Sequence, residues 1–225
     1  MGHVILSGVS KGMTVPVVYT PLVNLAEGSI VKLNENGSPA EFYVAKHDYE
    51  SGLNGTGRTL LVRKDCYDAR VWHNPLANTL ASSSLRSWLN GTYLNMLDED
   101  IRDAIGTTKY YYTPGGGDYT VTTRSDAVFM MSTTELNIYP SSSSGIEKNT
   151  EGSILPIAST LKIAYRNGSA VVQWTRTPQT NNTYVLVSYT DGKCYNYQST
   201  KSWGSRPIFT LPSTAKVADD GMVVV

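Results

Sequence analysis

The sequence is short of charge of either sign. Lys+Arg and Asp+Glu number 19 each, the net charge is zero and the pI lies near 6.8. Charged residues form 17% of the chain, against about 25% in ordinary domains. Without a basic run, the electrostatic footprint of a nucleic-acid or anionic-membrane binder is missing. Cysteine is scarce too, with only Cys66 and Cys194. That excludes a disulfide scaffold, and 225 residues can bury a core without staples. Cys66 sits in the apolar run from Leu60 to Tyr67 and reads as a buried thiol. A free thiol is preferred to a Cys66–Cys194 bridge, which needs a Cα separation that no sequence supplies. Histidine is limited to His3, His47 and His73, none with a second ligand at i+2 to i+4, so no metal site is expected. No apolar stretch approaches the ~20 residues of a membrane span. The N-terminus lacks a charged and then apolar leader. Neither membrane insertion nor a classical signal peptide is therefore expected.

Catalytic motifs are absent as well. There is no CxxC, HExxH, calcium-loop or GxSxG spacing. Gly115-Gly116-Gly117 has no Lys-Ser/Thr ending and reads as a hairpin turn, not a phosphate loop. Asp98, Glu99 and Asp100 are explained by helix capping and the helix dipole. The chain reads as non-enzymatic, with no catalytic residue, metal ligand or cofactor.

What is present is Ser, Thr, Asn and 15 Tyr, a mixture suited to adaptable contact surfaces. Residues 1–26 are rich in Val, Thr and Pro, with Pro16 and Pro21 against helix and central strand. They read as an extended attachment or assembly segment. A domain over 27–217 follows, and 218–225 reads as a tail. Within the domain, Gly28–Leu33 and Glu41–Lys46 flank the turn signal Asn36-Gly37, and Thr59–Lys64 is a strong strand. Tyr67–Pro75 reads as irregular. One helix is expected from Ser82–Ser84 through Leu85, Trp88 and Leu89; Gly91 can end it, or Tyr93, Leu94 and Leu97 continue its apolar face. A second runs over Glu99–Ile105, capped by Asp98 and stopped by Gly106. Residues 109–123 form a hairpin around the three glycines, and Asp126–Ser132 a buried strand. A polar loop containing Ser141–Ser144 follows, and Asn167-Gly168 marks another turn. Short strands with two helices give α+β architecture.

Gln173 to Pro212 divides into two kinds of sequence. Its ends hold Trp174, Arg176 and Pro178, then Trp203, Arg206 and Pro207. Trp174 and Trp203 read as core, and Arg176 and Arg206 as ties for loop carbonyls or partners of the tryptophans. These four are the expected framework. Between them lie Asn181, Asn182, Thr183, Tyr184, Tyr189, Asp191, Lys193, Tyr195, Asn196, Tyr197 and Ser199. Tyr supplies large contact area at low entropic cost, and Asn and Ser supply adaptable hydrogen bonds. These eleven residues are the expected ligand-binding set.

Trp174-x-Arg176-x-Pro178, the polar insert, and Gly204-x-Arg206-Pro207-x-x-x-Leu211-Pro212 resemble the signature of an uncharacterised domain family common in Firmicutes and their phages. The resemblance covers roughly residues 28–217. It includes Arg70-Val71-Trp72-His73, Trp88-Leu89-Asn90 and Phe129-Met130-Met131-Ser132 with Glu135. It implies a C-type-lectin-like fold, similar to formylglycine-generating-enzyme-like domains. It also implies a likeness to retroelement-diversified phage tropism proteins, in which adenine-directed mutagenesis varies ligand-facing residues on a fixed frame. The expected function is then receptor binding by a phage tail or head-fibre protein. It would act at the virion surface, or outside the cell after release. Its partners would be a host cell-surface protein or glycan, and virion proteins through the N-terminal segment, with a homotrimer as one candidate assembly. The alternative is a structural decoration protein of the virion with an inert insert. The Glu-Pro-Asn, Gln-Pro-Asp and Trp-Asn-Asp motifs of calcium-dependent lectins are absent, so calcium-dependent sugar binding is not carried over. The local cysteine pair of formylglycine-generating enzymes is absent too.

Overall fold

A computed structural model describes residues 18–140 and 150–225. Residues 1–17 of the expected N-terminal segment, and Ser141–Ser144, lie outside the described residues. The first strand is β1 (Tyr19–Pro21), and a hairpin of β2 (Ile30–Glu35) and β3 (Ser38–His47) follows. Asn36 and Gly37 join this hairpin with φ of 51° and 74°. A two-residue turn of this hand needs positive φ at both central positions, which Asn and Gly tolerate best. The segment between β3 and β4 contains Gly52, Gly55 and Gly57 and one helical turn, α1 (Ser51–Asn54), before β4 (Arg58–Arg63).

Tyr67–Pro75 is not irregular throughout. Asp68–Val71 forms β5 because a segment remote in sequence, Ser202–Ser205, supplies its antiparallel ladder. Helix α2 (Ser84–Trp88) starts as expected: the Ser83 side chain accepts from the Arg86 amide at 3.2 Å. Gly91 does not end the helical path. A π turn over Leu89–Tyr93 and a 3-10 turn over Leu94–Met96 carry it on, so that Leu89, Tyr93 and Leu97 all reach the core. Helix α3 (Glu99–Ile105) follows. Asp98 stands at its N-cap position without capping it. Its carboxylate instead accepts from Asn34 Nδ2 at 2.8 Å.

The hairpin of β6 (Thr108–Tyr112) and β7 (Thr122–Asp126) brackets the three glycines. The strand expected over Asp126–Ser132 is buried, but past Asp126 it is not a strand. Phe129 exchanges both backbone hydrogen bonds with Ile208, while the Met130 and Met131 carbonyls accept from Arg176. A continuous ladder therefore has no free partners there. Next come α4 (Ala158–Leu161), β8 (Ala164–Arg166) and β9 (Ser169–Val171) around the second Asn-Gly turn. The last strands are β10 (Gln173–Pro178), β11 (Tyr184–Ser188), β12 (Cys194–Gln198), β13 (Ser202–Ser205), β14 (Ile208–Pro212), β15 (Lys216–Ala218) and β16 (Val223–Val224).

The protein is thus mixed α+β, mostly short strands in small sheets. Besides the β6–β7 and β8–β9 hairpins, the sheets run β12-β11-β10-β13-β5, β14-β4-β3-β2 and β1-β15-β16. The strand pairs are antiparallel except β10 with β13. The expected two helices are accompanied by the one-turn helices α1 and α4. The expected boundaries at 26/27 and 217/218 are crossed by hydrogen bonds. β1 pairs with β15, β16 adds to the same sheet, and Leu22 is fully buried. Among the described residues no helix is long and apolar enough to cross a membrane.

Core residues come from both large sheets. Phe42 of β3 meets Phe209 of β14 at 5.4 Å between centroids; Trp72 is buried and donates to Thr175 O of β10 at 3.0 Å, and Trp174 is buried opposite Val187 of β11. Val185, Leu186 and Val187 are all fully buried, so β11 is covered on both faces. Each such side chain contributes about 1.5–3 kcal/mol on burial. The centre of the insert is therefore core, and its exposed residues lie in the segments flanking β11.

Candidate functional site

The frame is built around Arg176, whose side chain is completely buried. All five of its N–H groups are used. Nε donates to Tyr111 O at 2.9 Å, and Nη1 to Met130 O at 2.7 Å and Glu135 Oε2 at 2.6 Å. Nη2 donates to Glu135 Oε1 at 3.0 Å and Glu151 O at 3.1 Å. Burial alone would weaken the charge, and Glu135 outweighs it, so the guanidinium value is raised and the cation persists. Arg206 does the same work elsewhere. It donates to the carbonyls of Arg63, Leu161 and Lys64, each at 2.7 Å. Both arginines tie carbonyls, as expected of framework. Neither is paired with a tryptophan; the ring beneath Arg176 is Tyr110, 5.0 Å away. Trp174 is buried and donates to Arg70 O at 2.8 Å. Trp203 is only half-buried and belongs to the surface described below.

The network also buries Glu151, which accepts from the Thr113 amide at 2.6 Å and from the Thr177 hydroxyl. Burial raises its carboxyl above the usual range, opposed in part by Arg176 and by the hydrogen bonds from Thr113 and Thr177. A carboxyl raised in the folded state contributes its stability in full below its unfolded value and loses it as pH rises through the folded value. Glu151→Gln, an isostere of the protonated acid, is therefore expected to gain on the parent chain as pH rises from about 4 to 7. Urea melts across that range measure the difference; a difference flat in pH would refute the assignment.

The eleven expected contact residues do not converge on one spot. Five residues of β11 separate Asn181–Thr183 from Tyr189, roughly 16 Å at ~3.3 Å per residue. At the first end the loop is braced from beneath. Fully buried Asn78 places Nδ2 at 2.8, 2.7 and 2.8 Å from the carbonyls of Gln179, Asn181 and Tyr184, and its Oδ1 accepts from Gly116 N at 2.9 Å. The Tyr119 hydroxyl lies 2.5 Å from Thr180 O and 2.9 Å from Asn182 Oδ1. Asn181 Oδ1 accepts from the Thr183 amide and hydroxyl at 3.0 and 2.6 Å. Asn181 and Asn182 are exposed, and Thr183 and Tyr184 half-buried. Ser199 is not on the surface at all. It is fully buried, and its hydroxyl accepts from Ala77 N at 3.1 Å.

At the other end the aromatic residues gather. Tyr189 lies 4.9 Å from Tyr195 and 6.4 Å from Tyr197, and Tyr197 lies 5.1 Å from Trp203. The pairing places Tyr195 opposite Val187 and Tyr197 opposite Val185, so the rings stand over fully buried valines. Asn196 is opposite Leu186 and half-buried. Asp191 and Lys193 are exposed on the β11–β12 turn, paired at 3.6 Å. Gly192 in that turn has φ of 75°, and an added Cβ would lie 3.2 Å from Lys162 Cγ, so glycine lets the turn lie against the α4 end.

A cleft of about 360 Å³ opens beside Tyr189 and Trp203, floored by Ala69, Val172 and Gly204 and flanked by Arg166. A second, of about 270 Å³, opens beside Tyr195, with Lys162, Lys193 and Cys194 on its walls. Such volumes fall at or just below the low end of small-ligand sites. Burial pushes the Cys66 thiol up to about 11, opposed by Arg206, and the Cys194 thiol up to about 12. Both cysteines are free and protonated at neutral pH, so neither presents a thiolate. His47 is held by Thr59 at 3.0 Å and by Leu25 O at 2.9 Å, and His73 by Ser84 at 3.1 Å. Among the described residues no group of three His, Cys, Asp or Glu could hold a metal ion.

Sequence reasoning missed Asn78, Tyr119, Glu135 as the partner of Arg176, and Glu151. Glu135 was legible only as a neighbour of the Met130–Ser132 run. Asn78 lies in a loop with no periodic signal. A family model described as a domain of unknown function, DUF6273, matches residues 56–213. No curated protein and no solved structure matches the chain.

Proposed function

The chain belongs to the DUF6273 family, and from that premise we propose that it is a non-enzymatic ligand-display protein. In this reading it is the receptor-binding part of a phage tail or head fibre, with a C-type-lectin-like arrangement of short strands, and it recognises a bacterial host surface. One observation carries the proposal: Tyr189, Tyr195, Tyr197 and Trp203 cluster at the surface over fully buried valines of β11. A rigid, hydrogen-bonded frame beneath adaptable aromatic and amide side chains is how binding faces are built. The bonds of Arg176, Arg206 and Asn78 run to backbone groups and to buried side chains, and of the exposed Asn tips Asn182 is tied through its side chain to Tyr119. A frame bonded this way suits diversification of Asn and Tyr positions by adenine-directed mutagenesis.

The test is a double variant, Tyr195→Ala/Tyr197→Ala, in the full chain, applied to a panel of Firmicute cells that the parent chain binds. Cell binding is expected to fall at least tenfold while the melting temperature shifts by only a few degrees, since both rings are partly exposed. Binding that survives the double substitution would place the contact face elsewhere.

A further inference from the structure

The two clefts flank one pair of rings. Tyr189 lines the first, Tyr195 lines the second, and their centroids are 4.9 Å apart. Arg166 is the titratable charge of the first cleft, and Lys162 and Lys193 those of the second. No carboxylate lines either cleft among the described residues. Of the acids beside lining residues in the sequence, Asp191 faces Lys193 and Asp68 faces Arg70. Arg166 and Lys162 have no hydrogen bond or ion pair from their side chains among the described residues. In a chain whose net charge is zero, this is a local concentration of unpaired positive charge on both sides of an aromatic ridge.

Resting on the proposed display function, we infer that the ligand is an acidic oligosaccharide of the uronate class, crossing the Tyr189–Tyr195 ridge. The apolar C–H face of a pyranose packs on the tyrosine rings, which bring large area with little entropy loss. Carboxylates of sugars on either side meet Arg166 and Lys162. Arg presents a planar fork matched to a carboxylate, and Lys a compact point charge. Alternating stacking and charge contacts along a ridge fit an extended, repeating chain better than a single compact ligand. No calcium is required, because the cations are side chains. A protein receptor is the competing occupant; it would call for a larger continuous apolar face than these two small clefts.

The experiment titrates the full-length protein with short oligomers of polygalacturonate, alginate and hyaluronan, and with the carboxyl-reduced, neutral form of each. The inference expects binding to at least one acidic series, at least tenfold weaker binding to its reduced form, and affinity that falls as salt rises. Arg166→Gln/Lys162→Gln is expected to lower acidic affinity tenfold or more with an unchanged melting temperature. Equal binding of acidic and reduced forms would overturn the inference. So would no binding to any series while the parent chain still binds cells through Tyr195 and Tyr197; in that case the display function stands and its ligand class is wrong. Loss of cell binding on protease treatment of the cells, with periodate treatment harmless, would assign a protein receptor instead. Cell binding indifferent to both the tyrosine pair and the Arg166/Lys162 pair would place the contact face elsewhere and overturn the inference together with the site it rests on.

Discussion

Arg176→Met lowers the unfolding free energy by about 3–5 kcal/mol, the range for breaking a buried ion pair from one side. Glu135 is fully buried. In the variant it keeps the Tyr49 hydroxyl at 2.5 Å and the Ser132 amide at 2.8 Å but loses its cation. The carbonyls of Tyr111 and Met130 lose the donors that Arg176 gives them in the same step, and that of Glu151 keeps only the Ser132 hydroxyl at 2.9 Å. Arg176→Lys does not rescue, because one ammonium cannot reach four partners that a planar fork reaches at once. Adding Glu135→Gln to Arg176→Met removes the stranded charge and is expected to recover about 1–3 kcal/mol, the usual coupling between directly bonded groups. Denaturant melts of the three variants and the double decide it. A loss below 1 kcal/mol, or additivity of the two substitutions, would mean that the network is not what holds β10 to the Met130–Glu135 segment.

Asn78→Ala costs about 2–4 kcal/mol and acts on one place. Its amide is the shared donor for three backbone carbonyls, and its oxygen accepts from Gly116. In the variant Gln179 O and Gly116 N lose the partner that Asn78 gives them, while Asn181 O and Tyr184 O keep the amides of Tyr184 and Gln179 at 3.2 and 3.0 Å; each buried polar group left without a partner costs about 1–3 kcal/mol. Some of that is relieved because the loop tip at Asn181 and Asn182 can reach water. Asn78→Asp is expected to be at least as damaging, since it keeps the acceptor for Gly116 and turns a carboxylate toward three carbonyl oxygens. Hydrogen exchange is the second readout. The amides of Gln179 and Tyr184, which donate within this loop, are expected to exchange faster in either variant, while those of β4 and β14 stay protected. Uniform deprotection would show that Asn78 stabilises the whole domain and not the loop.

These two residues differ in how far they were legible. Arg176 stood out in the sequence as part of a Trp-Arg-Pro group, and its role as a tie for carbonyls followed from guanidinium geometry. Its partners did not, because Glu135 and Glu151 are 41 and 25 residues away and nothing local marks a carboxylate as buried. Asn78 had no signal at all. Its importance comes from three carbonyls more than 100 residues downstream. Ser199 shows the opposite error. Its residue type suited a contact surface, but its place beyond the end of β12 turns it inward onto Ala77.

By itself the sequence determined what depends on neighbours along the chain. The Asn-Gly turns at 36–37 and 167–168 follow from the φ values those residues accept. The Ser83 cap, the Gly106 stop, the strand at β4 and the α+β character are local in the same way. The division of residues 173–212 was readable in part: Trp174, Arg176 and Arg206 are buried, whereas Trp203 is half-buried and Ser199 is inside. Only the tertiary structure decided that β5 is a strand, that residues 127–132 are not, and that β11 is core while its flanks are surface. It also decided that Trp203 sits with Tyr189, Tyr195 and Tyr197 between two cationic clefts. Each of these rests on a partner distant in sequence: a ladder, a carbonyl or a ring supplied from another part of the chain. Hydrogen bonding and burial are satisfied across such distances, and residue order alone does not say which groups will meet.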